Sequence, residues 1–299
     1  VPWRIKICKF VGRGQGKIMK SAKKKALLGK IGVYVVLIII SLFMIIPFLW
    51  MLSASIKTDK EVFQVPFVWI PANPQWSNYL KIWTKMPFLK YIGNTAFLTV
   101  VVTLLQLFTS SFAAYSFAKL DFKHKNVLFM AYIATIAMPW QVYMVPQFIM
   151  MSNVFHLNGK LTAMVCLQAF SAFGVFMMRQ FYMGIPDELC EAARIDGMSE
   201  YKIYANIMLP LSKPALSTLT IFTFVATWND YLGPLIYLTP NKASWTIQLG
   251  IKNTFIGQYS SEYGLLMAAS VVSLIPVLIV FLMLQKYFVE GVANTGIKG

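Results

Sequence analysis

The sequence predicts an all-α membrane protein with six transmembrane helices, and three observations lead to this fold class. Hydrophobic residues make up 58% of the 299 residues and charged residues 13%, against roughly 45–50% and about 25% in soluble proteins. The mean hydropathy is +0.62. The charges are also unevenly placed, because long stretches of the chain carry none. Lipid is therefore the expected solvent for most of the surface, and α-helices satisfy their own backbone hydrogen bonds there.

Each charge-free stretch is long enough to cross a bilayer, which takes about 20 apolar residues in a helix. Five stretches contain no Asp, Glu, Lys or Arg, and a sixth is interrupted only by Asp230. In chain order, the predicted spans are residues 31–56, 94–118, 127–151, 161–180, 214–238 and 263–287. The fourth and the sixth extend past their charge-free stretches to include Arg179 and Lys286. The chain thus divides into a basic N-terminal segment, residues 1–30, and a transmembrane domain, residues 31–299.

The placement of lysine and arginine predicts the orientation in the membrane. The first 30 residues carry ten basic residues and no acidic one, and cytoplasmic segments of membrane proteins are enriched in Lys and Arg. The N-terminus is therefore predicted to be cytoplasmic, and six spans return the C-terminus to the same side. This topology and contact with anionic membrane lipid explain the net charge of +16, so no nucleic-acid partner is expected.

Motifs that would indicate an enzyme are missing from the sequence. No Gly-x-x-x-x-Gly-Lys-Ser/Thr phosphate loop occurs, so this chain is not expected to bind ATP through that motif. The two histidines and three cysteines show no metal-ligand spacing. We therefore predict no catalytic residue, no metal site and no cofactor in this chain.

Two short helices around a glycine are predicted in residues 182–210, between the fourth and fifth spans. Pro186 suits the first position of a helix, and Gly197 can adopt the left-handed conformation that ends it. Ser199 can cap a second helix, which Pro210 would close before the fifth span. On physical grounds alone, this loop is either a docking element or a simple connector.

The residues of this loop resemble a known family motif, the Glu-Ala-Ala loop of bacterial ATP-binding-cassette (ABC) importer permeases. Motifs along residues 31–299 are similar, in matching order, to those of the shorter six-span subunit of maltose-type sugar permeases. The residues that carry the resemblance include Glu191-Ala192-Ala193, Asp196-Gly197, Leu209-Pro210, Met138-Pro139, Arg179-Gln180, Trp228-Asn229-Asp230 and the C-terminal stretch from Gly291 to Gly299.

The resemblance implies a type I ABC importer permease fold in the bacterial plasma (inner) membrane. The implied function is that of a transmembrane permease subunit in an ATP-driven, binding-protein-dependent importer of a sugar or oligosaccharide. The implied partners are a second permease subunit that forms a heterodimer, an ABC ATPase dimer, and an extracellular or periplasmic sugar-binding protein. ATP and magnesium would be bound by the ATPase.

The resemblance also implies roles for individual residues. A coupling helix in the 182–210 loop would sit in a cleft of the ATPase, with Glu191 as a charge contact and the small residues as a close-fitting surface. The tail would reach between the ATPase subunits. The implied ATPase-coupling residues are Glu191, Ala192, Ala193, Asp196, Gly197 and Pro210, and the implied C-terminal contacts are Gly296, Lys298 and Gly299.

Polar residues inside the predicted spans are candidates for a cavity or gate. An ionised group in lipid is expensive and usually faces a cavity or partner, so Asp230, after Asn229, is either part of an outer gate or cavity wall or a capping residue. Gln141 lies between Pro139 and Pro146, which indicates either a broken helix that lines a cavity or a structural kink.

Three alternatives to a sugar ABC permease differ in the residues that they would require. An ion-coupled secondary transporter would need intramembrane acids and two similar halves, and the sequence offers one acid and no visible repeat. A membrane enzyme would need a catalytic constellation at the end of a span. A permease for a solute other than a sugar stays open as an alternative.

Overall fold

The computed structural model describes residues 3–257 and 261–296, with side chains over residues 29–257 and 261–286. Apart from an isolated bridge between Ile256 and Ser261, the regular elements of these residues are helical, as predicted. The α-helices are α1 (Trp3–Ser55), α2 (Asp59–Val62), α3 (Asn78–Lys85), α4 (Phe88–Lys119), α5 (Lys125–Ala134), α6 (Trp140–Ile149), α7 (Leu161–Gln168), α8 (Ala172–Met183), α9 (Glu188–Ile195), α10 (Glu200–Ile203), α11 (Leu209–Leu211), α12 (Lys213–Trp228), α13 (Leu232–Tyr237), α14 (Ile247–Phe255) and α15 (Tyr263–Gly296). Short 3₁₀ helices span Thr135–Ala137 and Lys242–Ser244, and π-helical turns span Met150–Val154 and Tyr204–Met208.

Up to six membrane spans can be drawn through the described residues. Four helical stretches are each long and apolar enough to cross a bilayer: Gly29–Ser55, Phe88–Lys119, Leu161–Met183 and Tyr263–Lys286. Two further pairs meet the same criteria only together, because each is bent at a short break: Lys125–Ala137 with Trp140–Val154, and Glu200–Leu211 with Lys213–Trp228. Counting each bent pair as one span gives six, the predicted number. The second pair differs from the predicted fifth span, residues 214–238, because it begins at Glu200, within the predicted 182–210 loop, and ends at Trp228.

The third predicted span, residues 127–151, is a broken helix. Its two parts meet at 95°, and Pro139, the residue before α6, has extended backbone with φ −59° and ψ 133°. Proline lacks the N–H that would continue the helical ladder and clashes with the preceding turn. Pro146 lies inside α6, and a π-helical turn follows it. Of the two alternatives, a broken helix or a structural kink, the backbone therefore shows a broken helix, with the break at Met138–Pro139.

The fifth predicted span, residues 214–238, is also interrupted, which the charge pattern did not predict. Helix α12 ends at Trp228 and α13 begins at Leu232. The Asn229 amide donates back to the carbonyl of Val225 at 3.0 Å, and the Asp230 carboxylate accepts from the backbone N–H of Gly233 at 3.1 Å. Two polar side chains thus supply the partners that the backbone loses at the break.

Among its described side chains, the first helix buries only those of Ser53, Ala54 and Ser55, at its C-terminal end. Every side chain from residue 29 to residue 49 is exposed, although this stretch has a mean hydropathy of 2.9. The backbone of α1 begins at Trp3, so the basic N-terminal segment continues the helix of the first span. The apolar surface of α1 is therefore available to lipid or to another chain.

Helix α4 connects the two buried clusters of the molecule. Leu98 and Val102, in its first half, belong to a cluster with the loop helices α13 and α14. Ala114 and Tyr115, near its other end, belong to a second cluster that contains Cys190 and residues of α8 and α12. The 182–210 loop thus packs on the C-terminal end of α4, while the N-terminal half of the same helix packs in the first cluster.

Candidate functional site

Helix α9 forms the first half of the predicted loop and ends as the sequence predicts. Gly197 has φ +79°, the left-handed conformation that favours glycine. The backbone N–H of Met198 donates to the carbonyl of Ala193 at 3.0 Å, as in a Schellman motif. The start differs from the prediction, because Asp187 is the N-cap and the helix begins at Glu188. Pro186 therefore precedes the helix.

The two alanines of the motif lie on opposite faces of α9. Ala193 is buried, as is Cys190 one turn earlier, and both pack in the second core cluster. Glu191, Ala192 and Asp196 are exposed. The expectation that both alanines form one small surface is therefore wrong for Ala193, since the spacing of one turn from Cys190 turns it inward.

Two apolar side chains on the exposed face of α9 were missed by the sequence reasoning. Ile195 is 85% exposed and Leu189 is 45% exposed. With Ala192 they recur every third residue, a spacing that places them on one side of a helix. This spacing is the sequence feature from which an exposed apolar side of α9 could have been predicted. It gives the exposed face an apolar ridge beside the carboxylate of Glu191.

The second helix of the loop runs further than predicted. Ser199 occupies the N-cap position, with extended backbone and no hydrogen bond from its side chain. The helical run continues from Glu200 through Pro210 to Leu211, so Pro210 does not close it. A π-helical turn at Tyr204–Met208 directly precedes this proline. Wider helical turns of this kind adjust the backbone where proline removes a hydrogen bond.

A buried lysine at the end of α4 fixes the start of the loop. The side chain of Lys119 is 3% exposed. Its ammonium donates to the carbonyl of Ile185 at 2.6 Å and to the Asp187 carboxylate at 2.5 Å. The hydrogen bond from Lys119 is the main cause that lowers the pKa of Asp187 below its ordinary value. Asp187 is therefore ionised, and the pair intact, at neutral pH.

A second set of contacts fixes the end of α9. The Arg194 guanidinium donates to the Glu200 carboxylate at 2.7 Å and to the carbonyl of Lys119 at 3.3 Å. The hydroxyl of Tyr115 donates to the same carboxylate at 2.5 Å. Both ends of α9 are thus tied to one turn of α4, which makes them a mechanical unit.

A polar network lies between the membrane-spanning helices and centres on Asp230. The amide of Gln168 donates to the Asp230 carboxylate at 2.8 Å, and the amide of Gln106 donates to the carbonyl of Gln168 at 2.7 Å. Thr223 in turn donates to the Gln106 side chain at 3.0 Å. These contacts join α4, α7, α12 and the break at residues 229–231. The carboxylate is therefore oriented from two sides.

Two cavities meet at this network. The larger measures about 510 Å³ and the smaller about 300 Å³, and Gln168 and Asp230 line both. The positions of charged residues did not indicate Gln168 or Gln106, because a glutamine is uncharged and does not interrupt a charge-free stretch. Their signal was an uncharged polar side chain within an apolar span.

The other two predicted cavity residues lie elsewhere. Gln141 is exposed and lines neither of the two cavities, whereas Gln147 lines the smaller one and accepts from Trp140 and Tyr237. Asn229 is exposed and accepts from Gln248 at 3.2 Å. Neither is brought to Asp230's network, because Gln141 follows the 95° break and Asn229 turns back onto α12.

The C-terminal positions are described only in part. Gly296 is the last residue of α15. Lys298 and Gly299 lie outside the described residues, so their predicted contact with an ATPase stays a prediction.

The structure combines membrane-spanning helices, a polar cavity at a helix break and an exposed loop helix that is held at both ends. This combination is expected of a membrane transport component. The family model for the inner membrane component of binding-protein-dependent transport systems matches residues 106–294. The chain belongs to this family. It is a multi-pass inner-membrane permease subunit of an ABC transporter.

Curated relatives match over most of their length. The permease protein of the arabinooligosaccharides transport system of Halalkalibacterium halodurans is 32% identical, over 85% of this chain and 91% of the relative. The sn-glycerol-3-phosphate transport system permease protein of Yersinia enterocolitica is 32% identical, over 88% and 95%. The diacetylchitobiose uptake system permease protein of Streptomyces coelicolor is 29% identical, over 87% and 86%.

A solved structure confirms the predicted permease fold. One chain in the crystal structure of a bacterial ABC transporter involved in the import of the acidic polysaccharide alginate matches with a TM-score of 0.75. The match covers 87% of this chain and 96% of that chain, at 26% sequence identity.

Proposed function

We propose that this permease subunit imports a sugar or oligosaccharide in a complex with three kinds of partner. These are a second permease subunit, an ABC ATPase dimer that binds ATP and magnesium, and a sugar-binding protein on the outer side of the membrane. The relatives support a sugar, since two of the three named above serve arabinooligosaccharides and diacetylchitobiose. An ion-coupled transporter has no comparable support.

The exposed face of α9 would dock into the ATPase. The observation that carries this assignment is the combination of a freely exposed apolar ridge with a rigid connection behind it: Ile195 is 85% exposed, while Lys119 is 3% exposed and holds the start of the loop. Glu191, Ala192 and Asp196 would complete the surface. Ala193 and Pro210 would act within the chain, and Gly296, Lys298 and Gly299 would form a second contact.

Movement of the ATPase would then pass from α9 into α4. Because Lys119, Arg194 and Glu200 link the two ends of α9 to one turn of α4, a displacement of the docked helix displaces that end of α4 as well. The middle of α4 carries Gln106, which borders the cavity. The cavity wall and the docking surface therefore share one rigid element.

Replacing the apolar ridge tests the docking assignment. Ile195→Asp places a charge where an apolar contact is proposed, so ATPase co-purification and ATP-driven uptake should both fall by about tenfold or more. Ile70→Asp is the matched control, because Ile70 is 78% exposed in the loop between α2 and α3. Normal ATPase retention in Ile195→Asp would contradict the assignment.

Orientation is tested independently by labelling. A cysteine in place of Ser199 should react with a membrane-impermeant reagent only from the cytoplasmic side, and one in place of Asn73 only from outside. Reaction of Ser199→Cys in intact cells would contradict the proposed docking, since the ATPase lies in the cytoplasm.

A further inference from the structure

The larger cavity has the chemical composition of a carbohydrate site. Its wall includes two aromatic rings, two carboxamides, a hydroxyl and a carboxylate, from Phe173, Phe222, Gln106, Gln168, Thr223 and Asp230. The rings lie 5.8 Å apart at 82°, and each side chain is 46% exposed. Aromatic faces pack against the C–H face of a sugar ring, while amides and carboxylates bind its hydroxyls.

The polar wall also has an unused hydrogen-bonding position. Gln168 donates through its amide nitrogen to Asp230 at 2.8 Å, but its amide oxygen is buried and has no donor. A buried acceptor without a partner is costly. Since Gln168 lines both cavities, a small turn of its amide presents this oxygen to a hydroxyl of a bound ligand.

Charge separates this cavity from a site for anions. The described residues that line the two cavities include the carboxylate of Asp230 and no Lys, Arg or His. An anion entering a wall of low dielectric would be repelled by Asp230 with no cation to compensate. An uncharged polyhydroxyl ligand instead donates hydrogen bonds to the carboxylate.

We propose that this chain itself holds a subsite for one ring of an uncharged saccharide in the larger cavity, and that Asp230 makes the subsite reject anionic ligands. The cavity, about 510 Å³, falls within the roughly 300–1,000 Å³ of typical small-molecule sites. The proposal rests on the proposed transport function and extends it, because it places substrate contact on this subunit and specifies the charge of the substrate.

Direct titration of the permease–ATPase complex, purified without its binding protein, tests the subsite. The probes are arabinotriose, diacetylchitobiose and, as an anion, sn-glycerol 3-phosphate at the same ionic strength. At least one neutral sugar should bind and the anion should not. Phe222→Ala and Gln168→Ala should weaken sugar binding by about tenfold or more. Phe170→Ala is the matched control, because Phe170 is 70% exposed and lies outside the cavity.

Asp230→Asn tests the role of the charge. Asparagine can still accept from the Gly233 N–H, and Gln168 can turn its unpaired oxygen toward the new amide. Neutral-sugar affinity should therefore stay within a few-fold of wild type, while binding of sn-glycerol 3-phosphate, absent in the wild type, should become measurable.

Four results would overturn the proposal: no binding of either neutral sugar, tighter binding of the anion by the wild type, unchanged affinity in both Phe222→Ala and Gln168→Ala, or continued rejection of the anion by Asp230→Asn. A failure of the broader function is seen separately, in the complete transporter with its binding protein. Absence of ATP-driven uptake there refutes the proposed function, whereas normal uptake with unaffected cavity variants refutes only the subsite.

Discussion

Among the described residues, the buried side-chain nitrogen and oxygen atoms of the 182–210 loop all have hydrogen-bond partners, whereas the wall of the cavity retains the unpaired amide oxygen of Gln168. At the loop, Lys119 makes two hydrogen bonds and Glu200 receives them from Arg194 and Tyr115. The loop thus satisfies its buried polar side chains within the chain, whereas the cavity wall has a buried acceptor that lacks a donor.

This difference corresponds to two mechanical tasks. A region that transmits a displacement needs every polar group paired within the chain, because a saturated network has one favoured arrangement. A region that receives a ligand must keep hydrogen-bonding capacity free for it. Under the proposed roles, this chain would meet the first demand at the end of α4, around Lys119, and the second beside the middle of α4, where Gln106 contacts Gln168.

Removing the buried ammonium should produce the largest change at the loop. Lys119→Met eliminates the hydrogen bond to the Ile185 carbonyl, worth roughly 1.5–3 kcal/mol, and leaves that carbonyl without its donor. The lost pair with Asp187 contributes less, because that carboxylate is 75% exposed to screening solvent. We expect ATP-driven uptake to fall by about tenfold or more while the ATPase stays bound, measured by uptake and co-purification on the same preparation. Wild-type uptake in this variant would show that the contacts of Lys119 with Ile185 and Asp187, here called the tether, do not transmit movement from α9 to α4.

Overpacking beside the cavity should have the next largest effect, on stability. A Cβ on Gly174 would lie 3.1 Å from the Ser110 Cβ and 3.3 Å from Leu219, where α8 packs between α4 and α12. Gly174→Ala should lower the thermal stability of the purified complex by about 1–3 kcal/mol. Gly93→Ala is the control, since nothing lies within 4 Å of its added Cβ, and it should not destabilise the protein.

Substitution of the helix-ending glycine separates backbone strain from surface shape. Gly197→Ala forces a side chain onto φ +79° in open space, at a cost of about 1–2 kcal/mol. Uptake should drop only modestly. Gly197→Trp carries the same backbone strain with a bulky group near the docking surface, so it should also release the ATPase. Equal ATPase retention in the two variants would remove the steric argument.

An exposed charge near the tether should have the smallest effect. Asp121 is fully exposed and lies 3.8 Å from Lys125, and solvent screens a pair of this kind so that it contributes little to stability. Asp121→Asn should leave uptake and ATPase binding unchanged in the assays used for Lys119→Met. A loss comparable to that of Lys119→Met would mean that charge near the loop, rather than the buried tether, controls coupling.

The fold was predictable because the positions of charged residues indicate which segments lie in lipid and which lie in water. Charge-free runs favour lipid, and this preference predicted six spans, of which four correspond to single long apolar helices and two to bent helix pairs. The break at residues 229–231 was not predictable from that signal. It depends on two side chains that supply hydrogen bonds to the ends of α12 and α13, and such compensation becomes visible only in three dimensions.

The candidate site was predictable where single residues impose backbone geometry. Gly197 adopts the expected left-handed conformation, and Pro139 the expected break. Which face a side chain occupies depends on packing partners far away in the sequence, so Ala193 was placed outward although it is buried. Gln168 was missed because an amide is neither charged nor apolar enough to stand out from its span.

The position of Asp230 also determines what fills the cavity before a substrate arrives. A carboxylate offers about four acceptor positions, and Gly233 and Gln168 donate to it from the protein. We therefore expect water to hydrate this part of the cavity. A ligand that enters exchanges with these waters, so its net affinity is a small difference between two well hydrogen-bonded states. Modest affinity of this origin would favour release, which the proposed passage of a substrate through this cavity requires.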